Sequence, residues 1–140
     1  MYQYKAIITK VIDGDTVDVD IDLGFEVWLR NQRIRLYGID TPESRTSDKV
    51  EKVFGNLAKS KILKFCPVGA SIILQTKTDD SRGKYGRILG ELITEDGLNV
   101  NQYMIDNNYA VAYFGMSKSD IAQKQLDNRQ VILERGEVTL

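Results

Sequence analysis

The chain has no histidine and one cysteine, Cys66, among its 140 residues. Without imidazole, Ser-His-Asp and Cys-His catalysis are excluded, as is any metal site built on histidine. A lone cysteine excludes an intrachain disulfide and leaves a structural zinc site without its ligands. No apolar run approaches the roughly 20 residues of a membrane-spanning helix, so no membrane partner is expected. Charge excess is missing too: 19 basic against 20 acidic residues leave a net charge of −1. A nucleic-acid partner would therefore need a local basic patch. Any chemistry must come from carboxylates, arginines, lysines, tyrosines or a bound hard cation.

With 42% hydrophobic and 28% charged residues, the composition is that of a globular protein rather than a disordered one. The length suits one domain over residues 1–140, expected to be a monomer. The opening MYQYKAIITK enters strand-like alternation, with no charged stretch followed by an apolar one. Cytoplasmic localisation is expected, unless a leader has been cut away.

The first strand is predicted over residues 4–12, closed by the turn dipeptide Asp13-Gly14. In DTVDVDID, residues 15–22, Val17, Val19 and Ile21 face one way and Asp18, Asp20 and Asp22 the other. Asp15 shares the parity of the valines, which directs its carboxylate toward the apolar face. A third strand is predicted over 26–39, bent near Asn31-Gln32. After Pro42, Asp48 and Glu51 are placed as a capping box, and apolar residues follow at helical spacing up to Pro67. Strands are predicted at 70–77 and 87–93, separated by a polar loop at 78–86. A short helix at 99–107, an extended segment at 109–114 and an amphipathic helix at 118–135 complete the chain. Five short strands with a helix after the third fit an OB-type barrel better than an open parallel sheet.

The acidic run from Asp13 invites an EF-hand reading, which fails in both registers. From Asp18, Leu23 occupies the required glycine and Leu29 the glutamate; from Asp13, Val17 occupies a ligand position. Asp18, Asp20 and Asp22 read as a solvated strand face. Asp15 reads equally as a structural turn residue or as an inward carboxylate that needs a partner. In IDTPE, residues 39–43, the plain reading is a proline-stiffened turn. If the second and third strands pair antiparallel, however, Asp15 and Asp40 converge near Arg35. Two carboxylates and a backbone carbonyl, with no soft ligand nearby, suit Ca²⁺. Arg35 offers a planar fork for phosphate. In RGKYGR, residues 82–87, Lys84 and Arg87 bracket Tyr85, which suits a nucleotide as well as a merely flexible loop. Tyr113 reads equally as a core aromatic.

Taken in order, DGDT (13–16), RLYGIDTPE (35–43) and KYGR (84–87) resemble the thermonuclease, or staphylococcal nuclease-like, family. The resemblance extends over roughly residues 4–114. It implies an α+β fold, a five-stranded OB-fold barrel with three helices. It also implies a Ca²⁺-dependent phosphodiesterase that acts on DNA and/or RNA and leaves 3′-phosphate ends. Carried over, Asp15, Asp40 and the carbonyl of Thr41 would hold Ca²⁺. Glu43 would orient or deprotonate the attacking water, and Arg35 and Arg87 would bind the scissile phosphate. Lys84, Tyr85 and Tyr113 would hold the neighbouring phosphate and nucleoside. The resemblance fades after Phe114, where Glu134, Arg135 and Glu137 read as solvated ends. A site with one stacking tyrosine favours single strands. The alternative reading is a non-catalytic OB-type module that binds nucleic acid or protein. A PD-(D/E)xK nuclease is excluded, since no acidic residue stands two before a lysine.

Overall fold

The computed structural model describes residues 2–77 and 87–140. Among them run β1 (Gln3–Asp13), β2 (Thr16–Asp22), β3 (Trp28–Leu36), β4 (Ile39–Asp40), α1 (Lys49–Phe65), β5 (Ser71–Thr76), β6 (Ile88–Ile93), α2 (Val100–Asp106), β7 (Val111–Ala112) and α3 (Lys118–Arg135). The strands β1-β2-β3-β6-β5 close into a five-stranded barrel, and β4 and β7 form a separate two-stranded ribbon. All barrel pairings are antiparallel except β3 with β6, which run parallel. With three helices, this is the OB-type α+β fold expected from the sequence. No helix among the described residues is long and apolar enough to cross a membrane.

Period-two alternation fills the barrel. Val17, Val19, Ile34, Leu36, Ile72, Leu74 and Leu92 are buried, whereas Asp18 and Asp20 point outward and pair across the strands with Arg33 and Arg30. The expected solvated face is therefore a ladder of ion pairs, each worth little at the surface. Helix α1 begins at Asp48, whose carboxylate accepts from the amides of Val50 and Glu51. Its face of Phe54, Ala58 and Ile62 is buried, and the helix packs on β1. Only half of the expected capping box forms: the Asp48 amide donates to Thr46 Oγ1, and the Glu51 side chain is engaged elsewhere.

The predicted third strand is interrupted. Its first residues form a left-handed turn, with positive φ at Gly24, Phe25 and Glu26, and β3 begins at Trp28. The chain breaks again at Gly38 (φ 79°), where a Cβ would lie 2.9 Å from the Phe114 ring. That turn releases Ile39 and Asp40 from the barrel to pair with Ala112 and Val111. Asp15 also departs from expectation. It stands in the turn before β2, so its carboxylate faces the barrel's open end instead of the core.

Glu134, Arg135 and Glu137 are exposed as expected, yet two of them also tie the tail to the rest of the fold. Glu137 accepts from the Tyr109 hydroxyl at 2.6 Å and pairs with Arg135 at 3.0 Å and Lys61 at 3.5 Å. Arg135 also donates to the Asn107 carbonyl at 2.7 Å. These contacts tie the end of α3 to α1 and to the α2–β7 connection. Burial and the Glu137 carboxylate push the Tyr109 hydroxyl well above its ordinary pKa. Glu134, exposed likewise, accepts from the Gln130 amide at 3.2 Å.

Buried Asn101 joins α2 to the barrel. Its amide nitrogen donates to the carbonyls of Tyr37 and Gly90 at 2.9 and 3.1 Å, and its oxygen accepts from the Leu92 amide at 3.2 Å. Asn101→Ala should therefore cost about 3 kcal/mol in urea unfolding, because buried backbone groups lose their partner. A loss below about 1 kcal/mol would show that water or relaxation replaces these bonds.

Candidate active site

The register of β2 on β3 builds the site. Thr16 pairs with Arg35, and the Leu36 amide donates to the Asp15 carbonyl at 2.8 Å, so the turn before β2 lies against the exit of β3. Beyond that exit, the Gly38 turn and β4 carry Asp40 to the same place. Both carboxylates meet one guanidinium nitrogen: Arg35 Nη2 is 3.5 Å from Asp15 Oδ2 and 3.7 Å from Asp40 Oδ1. Arg35 Nη1 donates to the Leu36 carbonyl at 2.9 Å, which fixes the plane of the fork. Asp15 accepts further from the Thr16 hydroxyl at 2.9 Å and the Thr41 amide at 3.3 Å.

Asp15, Arg35, Asp40, Glu43 and Arg87 line a hollow of about 370 Å³. Tyr113 sits on an adjoining groove with Arg35 and Arg87, its ring partly open to solvent. Lys84 and Tyr85 lie outside the described residues. Thr41 is buried beside the pair, and its hydroxyl oxygen finds no hydrogen-bond partner among the described residues. Among them, too, no group of three or more acidic, cysteine or histidine side chains is arranged to hold a metal. Asp15 and Asp40 are the two carboxylates that meet on Arg35, with Asp13 and Glu43 on the walls of the same hollow.

The electrostatics are strained. Burial, and then the neighbouring charge of Asp15, raise the Asp40 carboxyl above its ordinary pKa, against the hydrogen bond from Gln125 and the charge of Arg35. Glu43 is exposed, yet partial burial of its carboxyl and the charges of Asp13, Asp15, Glu51 and Asp40 raise it also. Arg33, Arg35, Arg45 and Arg87 line the same hollow, yet the carboxyls of Asp40 and Glu43 stay raised.

Several residues that arrange the site escaped the sequence reading. Glu51, placed as a cap, instead accepts from the Glu43 amide at 3.0 Å. The Ser44 hydroxyl donates to Asp13, which also faces Arg45 at 3.6 Å. Gly55 lets this segment lie directly on α1: a Cβ there would sit 2.6 Å from the Ser44 amide nitrogen. A glycine inside a helical pattern was the available signal for such a close approach. Gln125 of α3 gave no signal at all. Its amide donates to the Asp40 carbonyl at 3.1 Å and to Asp40 Oδ2 at 3.3 Å. Position 125 thus holds one oxygen of Asp40, while the other faces Arg35.

A model of the family described as staphylococcal nuclease homologue matches residues 33–132. The match runs into α3, past the point where the sequence motifs fade. Among curated proteins, the chain is 31% identical over 117 residues to "Endonuclease YhcR" of Bacillus subtilis, covering 80% of this chain and 9% of that protein. It is 35% identical over 106 residues to an "Uncharacterized endonuclease" of Escherichia coli, covering 76% and 59%. With "Uncharacterized protein MJ1439" of Methanocaldococcus jannaschii it shares 30% over 129 residues, covering 79% and 59%. The chain spans less than two thirds of the length of each of these relatives.

The Gln125 contact has a signed consequence. Gln125→Glu would replace a donor with a second carboxylate and raise Asp40 further. A group whose folded-state pKa exceeds its unfolded value lends stability below the ordinary carboxylate range and loses it as pH rises through the raised value. The variant should therefore fall below the parent by about 1 kcal/mol at pH 7, a figure already reduced for solvent at a half-exposed carboxylate. The gap should close toward pH 4 in urea unfolding without divalent ions. A gap independent of pH would remove Gln125 from contact with Asp40.

Proposed function

Because the chain belongs to the staphylococcal nuclease homologue family, we propose that it is a metal-dependent nuclease that hydrolyses DNA and/or RNA. The observation that carries this reading is the meeting of Asp15 and Asp40 on one nitrogen of Arg35. The donor set fits a hard cation. It offers two anionic oxygens that repel one another, a buried Thr41 hydroxyl with no partner among the described residues, and no histidine. Ca²⁺ suits it best, since that ion accepts few protein ligands, irregular geometry and water. Asp15, Asp40 and the Thr41 carbonyl would hold it, and when bound it would supply positive charge to a phosphoryl oxygen.

The protein groups divide the remaining work. Arg35 and Arg87 present guanidinium forks to the non-bridging oxygens of the scissile phosphate, where charge accumulates as the phosphorus becomes five-coordinate. Glu43, held at its amide by Glu51, orients a water and accepts its proton. Its raised pKa brings it closer to that of an effective base near neutral pH. The water oxygen bonds to phosphorus and the phosphorus–O5′ bond breaks. The O5′ leaving group takes a proton from solvent, leaving a 3′-phosphate and a 5′-hydroxyl. No protein nucleophile is required, which is how a histidine-free chain can be a hydrolase. Lys84 and Tyr85 would hold the neighbouring phosphate, and Tyr113 would stack on a splayed base, favouring single strands. With a net charge of −1 the long-range attraction for a polyanion is weak. The salt dependence of activity should therefore be set by the few local phosphate contacts, with a log–log slope of about 0.7 for each.

The test is cleavage of a labelled single strand with Ca²⁺ and with a chelator. Cleavage should require the divalent ion. Glu43→Gln and Arg35→Lys should each lower turnover by about 10²-fold or more, as loss of a base or of a bidentate charge-stabilising group does. For exposed Glu43 the melting temperature should hardly move. Cleavage that persists under chelation would contradict the role of the metal. Binding without turnover under every divalent ion would instead favour a non-catalytic module.

A further inference from the structure

Three hollows adjoin one another across the open end of the barrel. The central one holds Asp15, Arg35, Asp40, Glu43 and Arg87. Arg35 and Arg87 also border the groove of Tyr113 and Phe114. Asp40 and Glu43 border a third groove, of about 450 Å³, between the Thr41–Pro42 segment and the first half of α3. Tyr113 reaches both outer grooves. The phosphate-binding hollow therefore adjoins two clefts that meet at Tyr113, and the reading given above uses only one of them.

We propose that the α3 groove is a second nucleoside subsite, taking the nucleotide on the other side of the scissile phosphate from the one that enters the groove of Tyr37 and Phe114. This inference rests on the nuclease reading. Three features of the groove support it. Its volume falls within the roughly 300–1,000 Å³ of small-molecule sites, enough for one nucleoside. Its walls carry Met116, Ile121 and Leu126, and Leu126 is 52% exposed. An apolar shelf of this kind suits the flat face of a base. Cations lie on the same walls: Lys118, and Arg129, whose buried Nε finds no hydrogen-bond partner among the described residues. The Arg129 guanidinium rests over the Phe54 ring at 5.4 Å, which holds it in place without neutralising it.

Charge sets the orientation of the occupant. Asp40, Glu43 and Glu51 form the groove's inner rim and repel a phosphate there. The uncharged base lies against the apolar shelf, and the next phosphate of the strand lies over Lys118. A strand then crosses the site as nucleoside, scissile phosphate, nucleoside, with one base in each of the two clefts. Duplexes would have to fray to reach both clefts. The subsite thus sharpens the preference for single strands beyond what one stacking tyrosine supplies.

The experiment compares short single strands, each with one abasic residue placed on either side of the cleaved bond, in the parent and in Leu126→Asn. Leu126 is exposed, so the variant should fold. In the parent, loss of the base on either side should raise KM about fivefold, the lower end of the range for a stacked base. In Leu126→Asn the penalty on one side should shrink to less than about twofold, while the penalty on the other side persists. Lys118→Gln should lower the slope of log KM against log salt by about 0.7, the share of one single-strand phosphate contact. Two penalties that persist in full in Leu126→Asn, or a parent indifferent to the base on one side, would overturn the subsite. If the parent cleaves no strand with any divalent ion, the nuclease reading fails separately. Fluorescence anisotropy of the same strands then makes the same comparison in Kd, with the same outcomes for and against.

Discussion

Two like charges brought together at the mouth of a barrel are the constraint on which the rest of the structure turns. Asp15 and Asp40 belong to segments far apart in the chain, and burial together with their repulsion raises the Asp40 carboxyl. Folding places them side by side because β2 and β3 pair from Thr16 against Arg35, and because the Gly38 turn sends β4 back across that end. Arg35 stands between them, with its fork oriented by the Leu36 carbonyl. A domain selected for stability alone gains little from such a cluster. A site that must gather a hard cation and a phosphate needs it.

Much of the remaining architecture holds those groups still. The loop that bears Glu43 is fixed through Glu51 at its backbone, Ser44 on Asp13, and a close approach to α1 that only Gly55 permits. Asp40 is held from the opposite side by Gln125, while Asn128 on the same helix donates to the Ala110 carbonyl just before β7. Helix α3 is tied down at its far end by the contacts among Tyr109, Arg135, Glu137 and Lys61. The C-terminal helix thus reaches Asp40 through Gln125 and the approach to β7 through Asn128, one turn apart. Its docking and the geometry of Asp40 are linked.

The barrel was legible because burial on one face leaves an unambiguous mark: Val17, Val19, Ile34 and Leu36 alternate with charged neighbours. Asp48 gave the start of α1 through cap chemistry, and the paired motifs around Asp15 and Asp40 pointed to one another. What escaped has a common cause, since long-range polar contacts carry no local period. Glu51 looked like a capping partner because its spacing from Asp48 fits one, and only the folded loop shows that it serves Glu43. Gln125 and Glu137 look like ordinary residues of a solvated helix end until the chain folds back onto them. Asp15 was assigned to a strand by parity, but the turn that begins at Gly14 removes it from that alternation.

The most direct measurement is a crystal structure of the protein with a divalent cation and a nucleoside bisphosphate. The account predicts an ion about 2.3–2.6 Å from an oxygen of Asp15 and an oxygen of Asp40, the usual range for calcium. It also predicts one phosphate of the ligand on both Arg35 and Arg87. An ion bound away from this pair, or a phosphate that touches neither guanidinium, would contradict it.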